Sequence, residues 1–163
     1  MTGETNIERQ ARRTRYSTSI DIDAPVAVVF ACWDRVEDFP RVMENVRRTK
    51  RIDEHTVLWD VDMLGRQLVW EARVLEREPD KRIRWTSRWG APNSGEVRFE
   101  PLPGERTRLS LDLSYQPRGV LERLGARMGV LDHHVHRDLL MFRRYVEGRA
   151  MQQPSPRVSS GRG

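Results

Sequence analysis

The segment LVWEARVLEREPDKRIRWTS, Leu68 to Ser87, decides the fold. Leu68, Trp70, Ala72 and Val74 share one parity, and Glu71 and Arg73 hold the other. Period-two alternation of this kind marks a strand with one buried face. Glu78-Pro79-Asp80 interrupts it, and then Ile83, Trp85, Ser87 and, just beyond the segment, Trp89 resume the apolar parity, with Arg82, Arg84 and Arg88 between them. Two alternating runs joined by a few turn residues read as an antiparallel hairpin.

The pattern extends in both directions. Upstream, Val57, Trp59, Val61 and Met63 form a third stripe, joined by a turn at Leu64-Gly65-Arg66. Downstream come Gly95, Val97 and Phe99, then Leu109, Leu111, Leu113 and Tyr115, separated by turns at Gly90–Asn93 and Pro101–Gly104. Charged residues of both signs fill the opposite parity, as a wet sheet face requires. Four of the five tryptophans (Trp59, Trp70, Trp85 and Trp89) therefore read onto one face of one sheet. Trp33 falls on a helix and reads as core.

Two further strands complete the sheet, Tyr16–Ile22 and about Val46–Ile52. Between them the spacing predicts a helix from Val26 to Asp34, with Asp23 as N-cap and Pro25 in its first turn. A short helical turn follows at about Asp38–Met43. After the sheet, Leu121, Leu124, Met128, Leu131, Val135, Leu139, Phe142 and Val146 recur at steps of three and four. This is one long amphipathic helix starting near Pro117. Gly125 and Gly129 notch it at a cost of about 1 kcal/mol each relative to alanine, so a close approach or a ligand is expected beside them.

The predicted fold class is α+β, a helix-grip arrangement. A seven-stranded antiparallel sheet wraps around a long C-terminal helix, with two short helices after the first strand. The predicted organisation is a tail over 1–15, a domain over 16–148 and a tail over 149–163, both tails basic and disordered.

The 163 residues suffice for one domain. The net charge of +5 resides in the tails, because the body from 16 to 148 carries 22 basic and 22 acidic residues. A neutral body lacks the footprint of phosphate binding, so no nucleic-acid partner is expected. The basic tails leave room for a weak contact with an anionic surface. No apolar run is long enough to span a bilayer, the N-terminus lacks the apolar core of a secretory signal, and the single Cys32 cannot form an internal disulfide. The expectation is a cytoplasmic monomer or dimer.

Four blocks carry a family resemblance: VEDFPRVMENV (Val36–Val46), LVWEARVLEREPDKRIRWTS, GEVRFEPLPGERTRLSLDLSYQPRG (Gly95–Gly119) and VHRDLLMFRRYVEGR (Val135–Arg149). They resemble the polyketide cyclase/dehydrase branch of the START-like superfamily, to which coenzyme Q-binding START-type proteins are related. The resemblance covers about residues 16–148. It implies a deep cavity between sheet and helix for hydrophobic small molecules. It also implies, for the aromatase/cyclase enzymes, a cavity arginine late in strand four and a tyrosine opening strand two. Here those positions read Glu76 and Val46, and two family tryptophan positions read Ala72 and Val97. These departures favour a binder or carrier of a polyketide-, quinone- or lipid-like molecule over a cyclase or dehydratase.

The expected ligand-binding residues are Trp59, Trp70, Ala72, Trp85, Ser87, Trp89, Val97, Phe99, Leu113, Tyr115, Gly125, Met128 and Asp132. Plain core packing is the competing reading for the tryptophans. The catalytic candidates are Asp132, His136 and Tyr115. Asp132 and His136 stand one helical turn apart on the flank that carries Gly125, Gly129 and Arg143, and a carboxylate that orients an imidazole is an acid/base unit. An ordinary surface pair is the bland alternative. Glu76, kept inward by parity, is expected at the rim because a lone buried carboxylate is costly. His133, His134 and His136 point to different sides of a helix and do not converge as zinc ligands do, so no metal and no cofactor is expected.

Overall fold

The computed structural model describes residues 14–63, 65–115 and 128–153, with side chains from 132 onward in the last of these segments. Strand β1 (Thr14–Ile22) leads through Pro25 into helix α1 (Val26–Asp34). A 3-10 turn (Val36–Asp38) and the short α2 (Phe39–Val42) follow. Then come β2 (Val46–Asp53), β3 (Thr56–Met63), β4 (Arg66–Glu78), β5 (Arg82–Gly90), β6 (Asn93–Leu102) and β7 (Arg106–Tyr115). Helix α3 (Met128–Gln152) ends the described chain.

The seven strands form one antiparallel sheet in the order β1-β7-β6-β5-β4-β3-β2. Every neighbour from β2 to β7 is consecutive in the chain, as the short spacers predict. Pairing of β1 with β7 brings Thr14 opposite Tyr115. Helix α3 packs on the concave face, where Leu139, Phe142 and Val146 are fully buried. Phe142 meets Trp33 of α1 and Phe39 of α2 edge-on, with ring centroids 5.2 and 6.0 Å apart. This aromatic knot joins the three helices over the lower half of the sheet. Above it the sheet and α3 leave space.

Several boundaries differ from the sequence expectation. Asp23 does not cap α1; Pro25 occupies the N-cap position without a side-chain cap, and the Asp23 backbone N–H instead donates to Glu147. Strand β1 begins at Thr14, and α3 runs to Gln152 instead of stopping at Gly148. Arg149, expected in a tail, donates from Nη1 to the Tyr145 hydroxyl, which donates to the carboxylate of Asp38. The expected helix start near Pro117, and the chain beyond residues 14–153, lie outside the described residues.

Two bulges rearrange β4 and β5. Between Val74 and Glu76 an extra residue, Leu75, enters β4; between Ser87 and Trp89 an extra residue, Arg88, enters β5. An inserted residue reverses the facing of everything beyond it. Glu76 is consequently on the outer face, bound by Arg82 and Arg84, and not on the inward parity at the cavity rim. Trp89 likewise stands opposite Glu71 on the outer face and is 61% exposed. Gly90 closes β5 at φ +83, where the Val69 carbonyl leaves no room for a side chain.

Candidate functional site

A cavity of about 270 Å³ lies between the upper sheet and α3. Trp59 and Trp70, paired across β3 and β4, form one wall. Their rings are parallel within 3° and their centroids are 5.9 Å apart. Ala72 and Trp85 continue that wall, while Leu113 and Tyr115 of β7 close the far side. Val135 and Leu139 of α3 form the lid side, and Met43 and Val46 contribute from below. The residue types are those of a small-molecule pocket, chiefly apolar and aromatic with few polar groups.

The polar groups are specific. Trp70 Nε1 is buried with no hydrogen-bond partner among the described residues. Asp138 of α3 also lines the cavity; its Oδ2 accepts from Asn45 Nδ2 at 3.2 Å, while its buried Oδ1 has no partner among the described residues. Burial pushes the Asp138 carboxyl above the usual carboxylate range, against the opposing hydrogen bonds from Asn45. Tyr115 stands at the upper end, its phenol raised by burial and by the nearby charge of Asp132. Both residues line the cavity, but these two atoms are themselves covered, and a covered polar atom left unpaired costs on the order of 1–3 kcal/mol.

At the opposite end the cavity meets charge. Arg77 pairs bidentately with Asp34, at 2.9 and 2.7 Å, and its guanidinium lies 5.1 Å from the centre of the Phe30 ring. Parity counting places Glu76 inward, but the β4 bulge gives that facing to Arg77. Arg77 accordingly lines the cavity where Glu76 does not.

Of the expected binding residues, Trp59, Trp70, Ala72, Trp85, Leu113 and Tyr115 line the cavity. Trp89 does not, for the reason given. Val97 is fully buried and Phe99 packs edge-on against Phe30 and near Trp33, so both belong to the core beneath the cavity. Ser87 stands opposite Ala72 with the same facing as Trp85 but is not part of the cavity lining; its Oγ accepts from the Asn93 backbone N–H at the β5–β6 turn. Gly125 and the Met128 side chain lie outside what the structure describes.

Asp132 and His136 do not form the expected unit. His136 Nδ1 is 3.0 Å from Thr18 Oγ1, and the Asp132 carbonyl accepts from the Tyr16 hydroxyl. That flank of α3 docks on β1, and neither side chain is part of the cavity lining. Two residues on, the same helix presents Asp138 to the cavity. Asp138 was missed because it is a polar residue beside Leu139 in an amphipathic stripe; the signal available was its position three after Val135, which shares the apolar side.

Cys32 is buried, and burial pushes its thiol up, which suppresses the nucleophilic thiolate. Among the described residues no group of three or more His, Cys, Asp or Glu side chains is placed to hold a metal ion. No described helix is long and apolar enough to cross a membrane.

A curved antiparallel sheet closed by one long helix over an apolar cavity defines a helix-grip, START-like protein. Residues 22–143 match the family described as polyketide cyclase / dehydrase and lipid transport, and the chain belongs to that family. It is similar to an uncharacterised 17.2 kDa protein of Streptomyces lincolnensis, 27% identical over 140 residues that cover 85% of this chain and 93% of the relative. Two solved structures share the fold. One is a START superfamily protein from Mycobacterium smegmatis (TM-score 0.67, 15% identity, covering 85% of this chain and 97% of the other). The second is the Zhui aromatase/cyclase from Streptomyces sp. R1128 (TM-score 0.69, 18% identity, covering 89% and 98%).

Proposed function

We propose that this protein binds a hydrophobic, ring-containing small molecule, of polyketide or quinone type, in the sheet–helix cavity and acts as its carrier. The observation that carries the reading is the stacked Trp59–Trp70 wall facing an apolar space. At interior packing density the space holds about 200 Å³ of ligand, roughly two or three fused six-membered rings. Flat rings stack favourably on such a wall. Native mass spectrometry of the purified full chain tests this. The expected spectrum contains a series heavier by one small molecule, collapsing to bare chain after extraction with organic solvent. Bare chain throughout, unchanged after incubation with 1,4-naphthoquinone, would remove the reading.

Asp138 supports a second reading, a cyclase or dehydratase. A carboxyl that burial makes a weaker acid can pass a proton to a departing hydroxyl and receive one from the adjacent carbon. Under this reading Asp138→Asn abolishes turnover of a polyketide chain while ligand binding persists. Under the carrier reading the bound molecule leaves unchanged whichever residue stands at 138.

A further inference from the structure

Gly95 stands directly across the β5–β6 ladder from Trp85. Its backbone is not in the left-handed region that calls for glycine at Gly65, Gly90 and Gly104. The reason for glycine is space. A Cβ at this position would overlap the Trp85 indole, with Cη2 only 2.7 Å away, and would lie 2.9 Å from the Asp112 carbonyl oxygen. The indole therefore rests on bare β6 backbone. Its Nε1 donates to Asn93 Oδ1 at 3.3 Å, and Asn93 is itself held by Ser87 Oγ and the Ala91 carbonyl. The ring is laid back against the sheet and tethered there at the edge of the β5–β6 turn. Trp85 and Asn93 both line the upper end of the cavity, beside Leu113 and Tyr115.

We propose that Gly95 is a specificity-determining residue: by letting Trp85 lie flat, it sets the cavity width at the Tyr115 end and so the largest ring system admitted. This rests on the ligand reading above. Any side chain at 95 lifts the indole off β6. The backbone blocks one direction, so the ring moves into the space a ligand would fill. In a cavity of about 270 Å³ that displacement removes room for a fused ring.

The test compares the wild type, Gly95→Ala and the double variant Gly95→Ala/Trp85→Leu. Two probes are used, 1,4-naphthoquinone with two rings and 9,10-anthraquinone with three, and the indole N–H resonances are followed in parallel. In Gly95→Ala the Trp85 indole resonance shifts, anthraquinone affinity falls about tenfold and naphthoquinone affinity falls by less than roughly threefold. The double variant, which has no indole to displace, recovers anthraquinone binding. An unmoved Trp85 resonance overturns the proposal. So does an equal loss for both probes that the double variant fails to recover, because that pattern marks a damaged β6 strand. If the wild type binds neither quinone, the ligand reading fails and xenon decides the role of Gly95. Apolar cavities take up xenon without a matching ligand. Weaker xenon-induced shifts in Gly95→Ala support the role, and equal shifts exclude it.

Discussion

Trp59 and Trp70 are cross-strand partners whose rings lie parallel, 3° apart in plane and 5.9 Å apart in centroid. Phe39 supports Trp59 from α2 at 5.6 Å. Such aromatic pairs contribute about 0.5–1.5 kcal/mol beyond the area they bury. Replacing Trp59 by leucine keeps an apolar wall but removes the stack. The expected result is a loss of at least that size in urea denaturation and a roughly tenfold weaker affinity for 1,4-naphthoquinone. Unchanged affinity would show that the pair only fills core.

Asp138 makes stability depend on pH with a definite sign. Burial raises its folded-state pKa above the unfolded value of about 3.9. Its contribution is fully present below that unfolded value and is lost as pH rises through the folded one. Asp138→Asn should therefore match the wild type in melting temperature near pH 3 and exceed it at pH 7. Thermal melts across that range check this, and a variant less stable at pH 7 would contradict the assigned burial.

Asp38 behaves in the opposite sense. Burial alone would raise its pKa, but hydrogen bonds from Arg41 and Tyr145 and the charges of Arg35 and Arg41 outweigh it and hold the carboxyl below its ordinary value. Its contribution is present above about pH 3.9 and lost as pH falls through the folded value. Tyr145→Phe removes the neutral donor that joins α3 to this cluster. The expected cost is about 1.5–3 kcal/mol at pH 7, shrinking as Asp38 protonates. A cost independent of pH would place the effect in packing alone.

Trp89 serves as a negative control. It is exposed on the outer face, so Trp89→Ser should leave quinone affinity unchanged and shift stability by no more than about 0.5 kcal/mol. Selective loss of binding in this variant, measured beside Trp85→Leu, would return Trp89 to the cavity.

These cases show which parts of the structure were legible in the sequence. Strand and helix periodicity located all seven strands, α1 from Val26 to Asp34 and the buried stripe of α3, because burial imposes a period of two on strands and of 3.6 on helices. Bulges leave no mark in that pattern. Leu75 and Arg88 read as ordinary alternating residues, yet they reverse the facing of Glu76, Arg77 and Trp89. The cavity's position followed from its aromatic wall. Its polar groups did not, since whether Asp138 or the Asp132–His136 flank faces inward depends on how α3 is rotated against β1. The Tyr16 and Thr18 contacts fix that rotation, and they are long-range.

If the cavity serves to hold a hydrophobic small molecule, filling it must abolish binding. Ala72 lies in its wall and is almost fully buried, so Ala72→Leu fills the space with little change to the surface. Tryptophan fluorescence of the full chain titrated with 1,4-naphthoquinone measures the claim directly. Saturable one-to-one quenching is expected in the wild type and is lost in Ala72→Leu, with far-ultraviolet circular dichroism unchanged. Quenching that never saturates, or that is the same in both proteins, would contradict it.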